Sequence, residues 1–260
     1  MNIFITGGAS GIGYNLTLKL IKNGYFVFLG VHTNKEVRTT LDKIGDIEYK
    51  DRVSVIKFDV TSKSDIKMLS KLNIDCLVNL AGVGIGGSLI NMEVVDIKKN
   101  FEVNFFGPLR VVKEYIKSRG NFSGKVIFVS SIAGIMPIPF LGSYCASKAS
   151  IDIFARALYL ELKKTNKKIL VKLVVPGAYK TGFNQYMIEN KERLDFGDFI
   201  EDKESIIESQ KKMFSYIEKR SLDSVVNKIY SAIVSNSSKH VYRVPFFQSV
   251  VSKFYMLLFK

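Results

Sequence analysis

Tryptophan is absent, and cysteine and histidine occur only as Cys76, Cys145, His32 and His240. The two cysteines lie far apart, which excludes a disulfide scaffold and a cysteine zinc site and fits a reducing compartment. Two histidines are too few for a histidine-rich centre, so no metal is expected. No run of about 20 apolar residues occurs, which excludes a spanning helix. Acid is scarce as well, with 24 Asp and Glu against 38 Lys and Arg, for a net charge of +14. The excess is mostly dispersed lysine, without an arginine cluster or interleaved aromatics. It reads as a solvated surface, so nucleic acid is not an expected partner, whereas small polyanions are. What remains is 260 residues, 47% of them hydrophobic, enough to bury a large core without covalent staples. An apolar run starts at Asn2 and a glycine-rich turn follows at once, so no leader is expected before it and the expected location is the cytoplasm.

The chain alternates short apolar runs with helical spacing. Apolar runs fall at Ile3–Thr6, Tyr25–Val31, Val53–Phe58, Cys76–Leu80, Val126–Ser130 and Ile169–Val175. Helical segments are expected over 12–22, 34–44, 62–72, 92–118 and 143–164. Continuous Val/Ile/Leu strands separated by helices imply a parallel sheet covered on both faces. This is an α/β doubly wound fold, whose ligands bind at the carboxyl ends of the strands. No linker, low-complexity tract or repeat divides it, so 1–245 reads as one domain. Within that domain, 181–220 is polar with scattered aromatics (Phe183, Tyr186, Phe196, Phe199, Phe214, Tyr216). It reads either as a substrate-covering segment, helical in its second half, or as an ordinary surface helix pair.

Between the first run and the first helix stands Thr6-Gly7-Gly8-Ala9-Ser10-Gly11-Ile12-Gly13. Glycines there permit a tight turn and a close approach of backbone to a pyrophosphate, and the helix start offers unpaired N–H groups to the anion. The spacing Gly-x-x-x-Gly-x-Gly resembles the nucleotide turn of the short-chain dehydrogenase/reductase family, in its single-domain branch. Further stretches are similar in the same order: Asn79-Leu80-Ala81-Gly82, with Leu80 where the family usually has a second asparagine; Asn104-Phe105-Phe106-Gly107; Ser130-Ser131; Tyr144-Cys145-Ala146-Ser147-Lys148; and Pro176-Gly177-Ala178-Tyr179-Lys180-Thr181. Ser131 lies thirteen positions before Tyr144, the spacing of the family pattern. The resemblance covers about 1–245. It implies a Rossmann-like sheet of about seven strands in the order 3-2-1-4-5-6-7. It also implies an oxidoreductase that interconverts a carbonyl and a secondary alcohol with a nicotinamide dinucleotide.

By that resemblance, Asn104, Ser131, Tyr144 and Lys148 are the catalytic residues. Thr6, Gly7, Ser10, Gly11, Ile12, Gly13, Asn79, Ala81, Gly82, Tyr144, Lys148, Pro176, Gly177, Tyr179 and Thr181 face the cofactor, and Asp59 and Val60 meet its adenine. Asp59 reads equally as a cap for the helix after Ser62. Tyr144 and Lys148 stand four apart on a helix, so both point from one face. An ammonium beside a phenol favours the phenolate, and a tyrosine so acidified can exchange a proton with a carbonyl oxygen that Ser131 holds. Cys145, beside that tyrosine, reads as packing, with no base placed to activate it.

The end of the second strand, Gly30-Val31-His32-Thr33, lacks the acid that holds a ribose 2′-hydroxyl in NAD sites; none follows until Glu36. His32, Thr33, Lys35 and Arg38 can receive a 2′-phosphate, so NADP is the expected cofactor, with NAD the alternative. The partner is a small carbonyl or alcohol substrate, lipid-like, steroid-like or a keto-sugar. A dimer or tetramer built on helices 92–118 and 143–164 is implied by the family. The competing reading is a non-catalytic dinucleotide-binding regulator on the same fold. The tail 246–260 places Phe247, Val250, Val251, Phe254 and Leu258 on one helical stripe, with Lys253 and Lys260 beside it. It suits either an anionic membrane surface or packing on the domain or a second subunit.

Overall fold

The computed structural model describes residues 1–120, 123–165, 168–189 and 202–258. Seven parallel strands form one sheet: β1 (Asn2–Thr6), β2 (Phe26–Val31), β3 (Val53–Lys57), β4 (Cys76–Asn79), β5 (Gly124–Val129), β6 (Ile169–Pro176) and β7 (Val241–Val244). Their order is β3-β2-β1-β4-β5-β6-β7, as the family resemblance implies. The last strand is a four-residue edge whose signal is too short to read from spacing.

Side chains alternate across the sheet, so neighbouring residues feed two cores. Ile3 and Ile5 pack on one face with Leu16 and Leu20 of α1 (Gly11–Lys22), Ile44 of α2 (Asn34–Ile44) and Val225 and Ile229 of α9 (Asp223–Val234). Phe4, Leu77 and Phe128 point the other way, onto Val111 and Tyr115 of α5 (Gly107–Arg119) and Ile151 and Ala155 of α6 (Gly142–Leu162). Each fully buried side chain of this size contributes about 1.5–3 kcal/mol over its exposed state. The expected helix over 62–72 is α3 (Lys63–Lys67) followed by a tighter turn, Met68–Lys71. The expected helix over 92–118 runs as α4 (Val94–Phe101), a π segment (Glu102–Phe106) and α5.

Three more helices complete the described chain: α7 (Phe183–Glu189), α8 (Lys203–Ile217) and α10 (Phe246–Leu258). Phe196, Phe199 and Lys260 lie outside the described residues, as do the side chains of Lys253 and Leu258. No helix among the described residues is long and apolar enough to cross a membrane. Some of the positive charge is internal. Buried Lys125 and Lys172 both donate to the Ser235 carbonyl beyond the C-terminus of α9, at 3.0 and 2.7 Å, where a cation complements the helix dipole.

The chain order reverses between β2-β1 and β4, which opens a crevice at the carboxyl ends of β1 and β4. The Thr6 hydroxyl sets its floor, accepting from the Leu80 and Ala81 N–H groups at 3.1 Å each.

Candidate active site

A cavity of about 1460 Å³ occupies that crevice and continues between β6 and α7–α8. That exceeds the roughly 300–1,000 Å³ of a typical single-ligand pocket. Its first wall is the turn from β1 to α1. Gly7 sits at φ +75°, and a Cβ there would stand 2.6 Å from the Ala81 Cα. A Cβ on Gly13 would stand 2.5 Å from the Gly7 carbonyl oxygen, so α1 packs on the turn only with glycine there. Ser10 is the N-cap of α1 but makes no side-chain cap bond, and Ser10, Gly11 and Ile12 line the cavity. The first-turn N–H groups therefore keep unspent donor capacity at a positive helix end.

Ala81 and Gly82 line the cavity, as do Pro176, Gly177, Tyr179 and Thr181 opposite. Thr181 lies over the start of α1, its Cβ 3.2 Å from where a Gly11 Cβ would be. Thr6, Gly13, Asn79 and Thr33 are not on the cavity wall. Thr6 and Gly13 hold the turn in place. Asn79 is buried, with both amide atoms unpartnered among the described residues. Thr33 caps α2, and Glu36 answers by accepting from the His32 and Thr33 N–H groups at 2.7 and 3.0 Å. Of the residues expected around a 2′-phosphate, His32 reaches the wall and Lys35 and Arg38 do not line it, whereas the acid Glu36 does.

Asp59 and Val60, expected to meet an adenine, line the cavity near His32. Asp59 is not the helix cap: Ser62 caps α3, and Asp59 accepts from the Thr61 N–H and hydroxyl at 2.8 and 2.7 Å. Partial burial works to raise the Asp59 carboxyl, but the Thr61 bonds and nearby His32 and Lys57 outweigh it and hold the group below the usual range.

Asn104 sits in the π segment, where the i→i+5 register bulges the helix toward the loop after β4. Its amide brackets Val83, accepting from the N–H at 2.9 Å and donating to the carbonyl at 2.8 Å, and donates to the Ser147 hydroxyl at 2.9 Å. One turn earlier, Asn100 repeats the pattern on Ile85 and the Ser143 hydroxyl. Asn100 escaped the sequence reading. Its signal was two asparagines four apart facing two serines four apart.

Ser131 caps the short turn after β5, accepting from the Ala133 N–H at 3.1 Å, and its hydroxyl stands near enough to the Tyr144 phenol to favour the phenolate. Lys148 stands one turn below Tyr144, with Nζ 5.9 Å from the phenol ring centre. Nζ donates to the Val129 carbonyl at 3.4 Å and lies beside Gly82. Ser131, Tyr144 and Lys148 thus line one end of the cavity, and Asn104 stands off its wall, beside Gly82 and Lys148.

The expected acidification of Tyr144 finds no support in this arrangement. Burial pushes the phenol above its ordinary value, and the Ser131 hydroxyl offsets only part of that. Lys148 does not counter it, its nitrogen being turned to the Val129 carbonyl, and burial also pulls that ammonium down to about 8. Cys145 is buried with a thiol raised by desolvation, packed with Leu141 and Phe214.

Beyond Tyr144 the cavity wall includes Ile138, Leu141, Phe183, Met187, Phe214 and Ile217, with Asn184 and Tyr186 beside them. The C-terminal end of α8 is fastened from an unexpected direction. Gln248 of α10 accepts from the Ala178 N–H at 2.8 Å and donates to the Ile217 carbonyl at 2.6 Å. In sequence it was merely a polar residue in the tail.

A family profile described as short chain dehydrogenase matches residues 1–192. The chain belongs to the short-chain dehydrogenase family. It is a dehydrogenase/reductase acting on alcohol and carbonyl groups. It is 31% identical over 262 residues to a probable short-chain type dehydrogenase/reductase, VdlC, of Helicobacter pylori, covering 98% of this chain and 92% of that one. It is 25% identical over 259 residues to an NADPH-dependent 3-dehydrocapnine reductase of Ornithobacterium rhinotracheale, covering 92% and 86%. A short chain dehydrogenase/reductase of Burkholderia phymatum, solved in complex with NAD, superposes with a TM-score of 0.79 at 20% identity, over 97% of this chain and 91% of that one. The glycine turn, the uncapped start of α1 and the cavity wall of this short-chain dehydrogenase fit a dinucleotide. A Cβ on Gly7 would strike the Ala81 backbone, so the turn cannot close up against a side chain of its own.

Proposed function

We propose that this short-chain dehydrogenase is an NADP(H)-dependent reductase of ketones on apolar, lipid-like or steroid-like molecules, with Tyr144 as proton donor. The observation that carries the reading is the placement of the Tyr144–Ser131 pair where a glycine-lined cradle meets an apolar chamber. When bound, the dinucleotide supplies the hydride. Ser131 holds the carbonyl oxygen, and Tyr144 delivers the proton that balances the hydride. A phenol raised by burial stays protonated through the neutral range, which is the form that carbonyl reduction needs. Lys148, brought to about 8, sits close enough to neutrality to pass a proton on, and Asn104 positions the loop after β4 beside it.

The chamber wall of aliphatic and aromatic side chains favours an apolar ketone over a keto-sugar, whose hydroxyls would lose hydrogen bonds there. The preference for NADP rests on His32 at the wall and the missing acid after β2. Glu36 works against it by occupying two backbone donors. Exposed Val94 on α4 and Ile153 and Leu160 on α6 support a second copy packing on those helices. The test is a coupled screen of ketones, steroids, acyl thioesters and keto-sugars with NADPH and NADH side by side. Turnover of an apolar ketone with NADPH, lost in Tyr144→Phe while dinucleotide binding persists, is the expected result. Equal or faster turnover with NADH overturns the cofactor assignment, and undiminished turnover in the variant overturns the proton donor.

A further inference from the structure

Among its described side chains, helix α10 is packed inside out. A helix on the surface of its own domain turns its apolar stripe inward. Here the inward face carries Gln248, Ser249 and Ser252, the two serines being buried with hydroxyls on the Pro245 and Ser249 carbonyls. The outward face carries Phe247, Val251 and Phe254 at i, i+4 and i+7, with Phe246 alongside. The described residues leave Phe246 83%, Phe247 77% and Phe254 64% exposed. Water does not stabilise such a face, so its arrangement asks for a cover.

Charge, area and position favour one occupant. After Asp223 the chain has no acidic residue, but it has Lys228, Lys239, Arg243, Lys253 and Lys260. The segment that α10 holds through Gln248 adds exposed Lys211, Lys212, Lys219 and Arg220. The outward side chains offer about 500 Å², taking roughly 200 Å² for each phenylalanine. That is short of the about 800 Å² a side found in standard protein interfaces. Gln248 bonds Ile217, a residue of the cavity wall, and the adjoining Tyr216 is exposed, which carries the aromatic rim from α10 to the mouth of the cavity.

We propose that α10 docks this enzyme on an anionic lipid bilayer. Phe246, Phe247, Val251 and Phe254 enter the boundary between headgroups and acyl chains, and Lys211, Lys212, Lys219 and Arg220 of the neighbouring segment meet the lipid phosphates. Gln248 holds this face in fixed relation to the C-terminal end of α8, so the cavity mouth stands over the membrane. The docking itself does not depend on the substrate or cofactor assignment, and its test needs no turnover.

The experiment is co-sedimentation of the full chain with vesicles of phosphatidylcholine alone and of phosphatidylcholine mixed with phosphatidylglycerol, at low and high salt. The expected result is binding to the mixed vesicles, at least about tenfold tighter than to neutral ones and weakened by salt. The paired substitutions Phe247→Ser and Phe254→Ser should weaken it by about tenfold or more. Because both rings face solvent, the thermal midpoint of that variant should hold. Lys211→Glu with Lys212→Glu supplies a second variant that leaves α10 untouched and should also release the protein. Docking is overturned if the wild-type chain stays in the supernatant with both vesicles, or if both variants pellet as it does. A wild type that ignores vesicles, with a particle mass that falls when the two rings are removed, would make the face a contact between copies instead.

Discussion

Replacing Lys148 by methionine should make the protein more stable while disabling it. Lys148 is 6% exposed, and among the described residues its ammonium has one long bond, to Val129 at 3.4 Å. Burial lowers its pKa from 10.5 to about 8. At about 1.36 kcal/mol per unit, the buried charge costs the folded chain on the order of 3 kcal/mol. The direction follows from proton counting. Below pH 8 the lysine is charged in both states and the full cost applies. Between 8 and 10.5 the folded protein sheds the proton while the unfolded chain keeps it, so stability rises with pH through that window. Above 10.5 the cost is gone. Methionine keeps most of the stem volume and carries no charge. Urea unfolding at pH 7, without added dinucleotide, should therefore show Lys148→Met more stable than wild type by up to about 3 kcal/mol, with the gap closing toward pH 10.5. Other groups that titrate in this range are common to both proteins and cancel in the difference. A gain that is absent at pH 7, or the same at both pH values, would falsify the claim that desolvation dominates this lysine.

Three further outcomes are expected. Gly13→Ala brings a Cβ within 2.5 Å of the Gly7 oxygen and 2.9 Å of the Gly8 Cα, both backbone, so titration calorimetry should show dinucleotide affinity down by at least about tenfold and melting should show about 1–3 kcal/mol lost. Asn100→Ala strips partners from the Ile85 N–H and carbonyl and from the Ser143 hydroxyl, and denaturant curves should show about 2–4 kcal/mol lost. His32→Ala should raise KM for NADPH by roughly tenfold and leave that for NADH within about twofold, the size of one charge-assisted contact; parallel rises for both would remove His32 from phosphate recognition.

The parts legible in the sequence are those whose cause is local. Helix α2 could be placed at 34–44 because Thr33 and Glu36 close a capping box over three residues, and the glycine turn because its backbone constraints lie within one stretch. The sheet order followed from the family resemblance rather than from spacing. What stayed hidden spans long separations: Asn100 reaches Ser143 across 43 residues, and Gln248 reaches Ile217 and Ala178 across 31 and 70. The polarity of α10 was hidden for the same reason, because a helical wheel shows that two faces differ and not which one the sheet will take. The expectation at Tyr144, which the structure does not support, has the same root. Four-residue spacing guarantees that a lysine is near a tyrosine, but the sign of the effect depends on how much water both lose, and that is decided by β5, the loop after β4 and the π segment closing around them. Burial lowers the lysine and raises the phenol together, so the pair moves toward neutrality rather than toward an ion pair. A site built this way begins from a protonated phenol, and whatever charge it needs during turnover must come from what binds next to it.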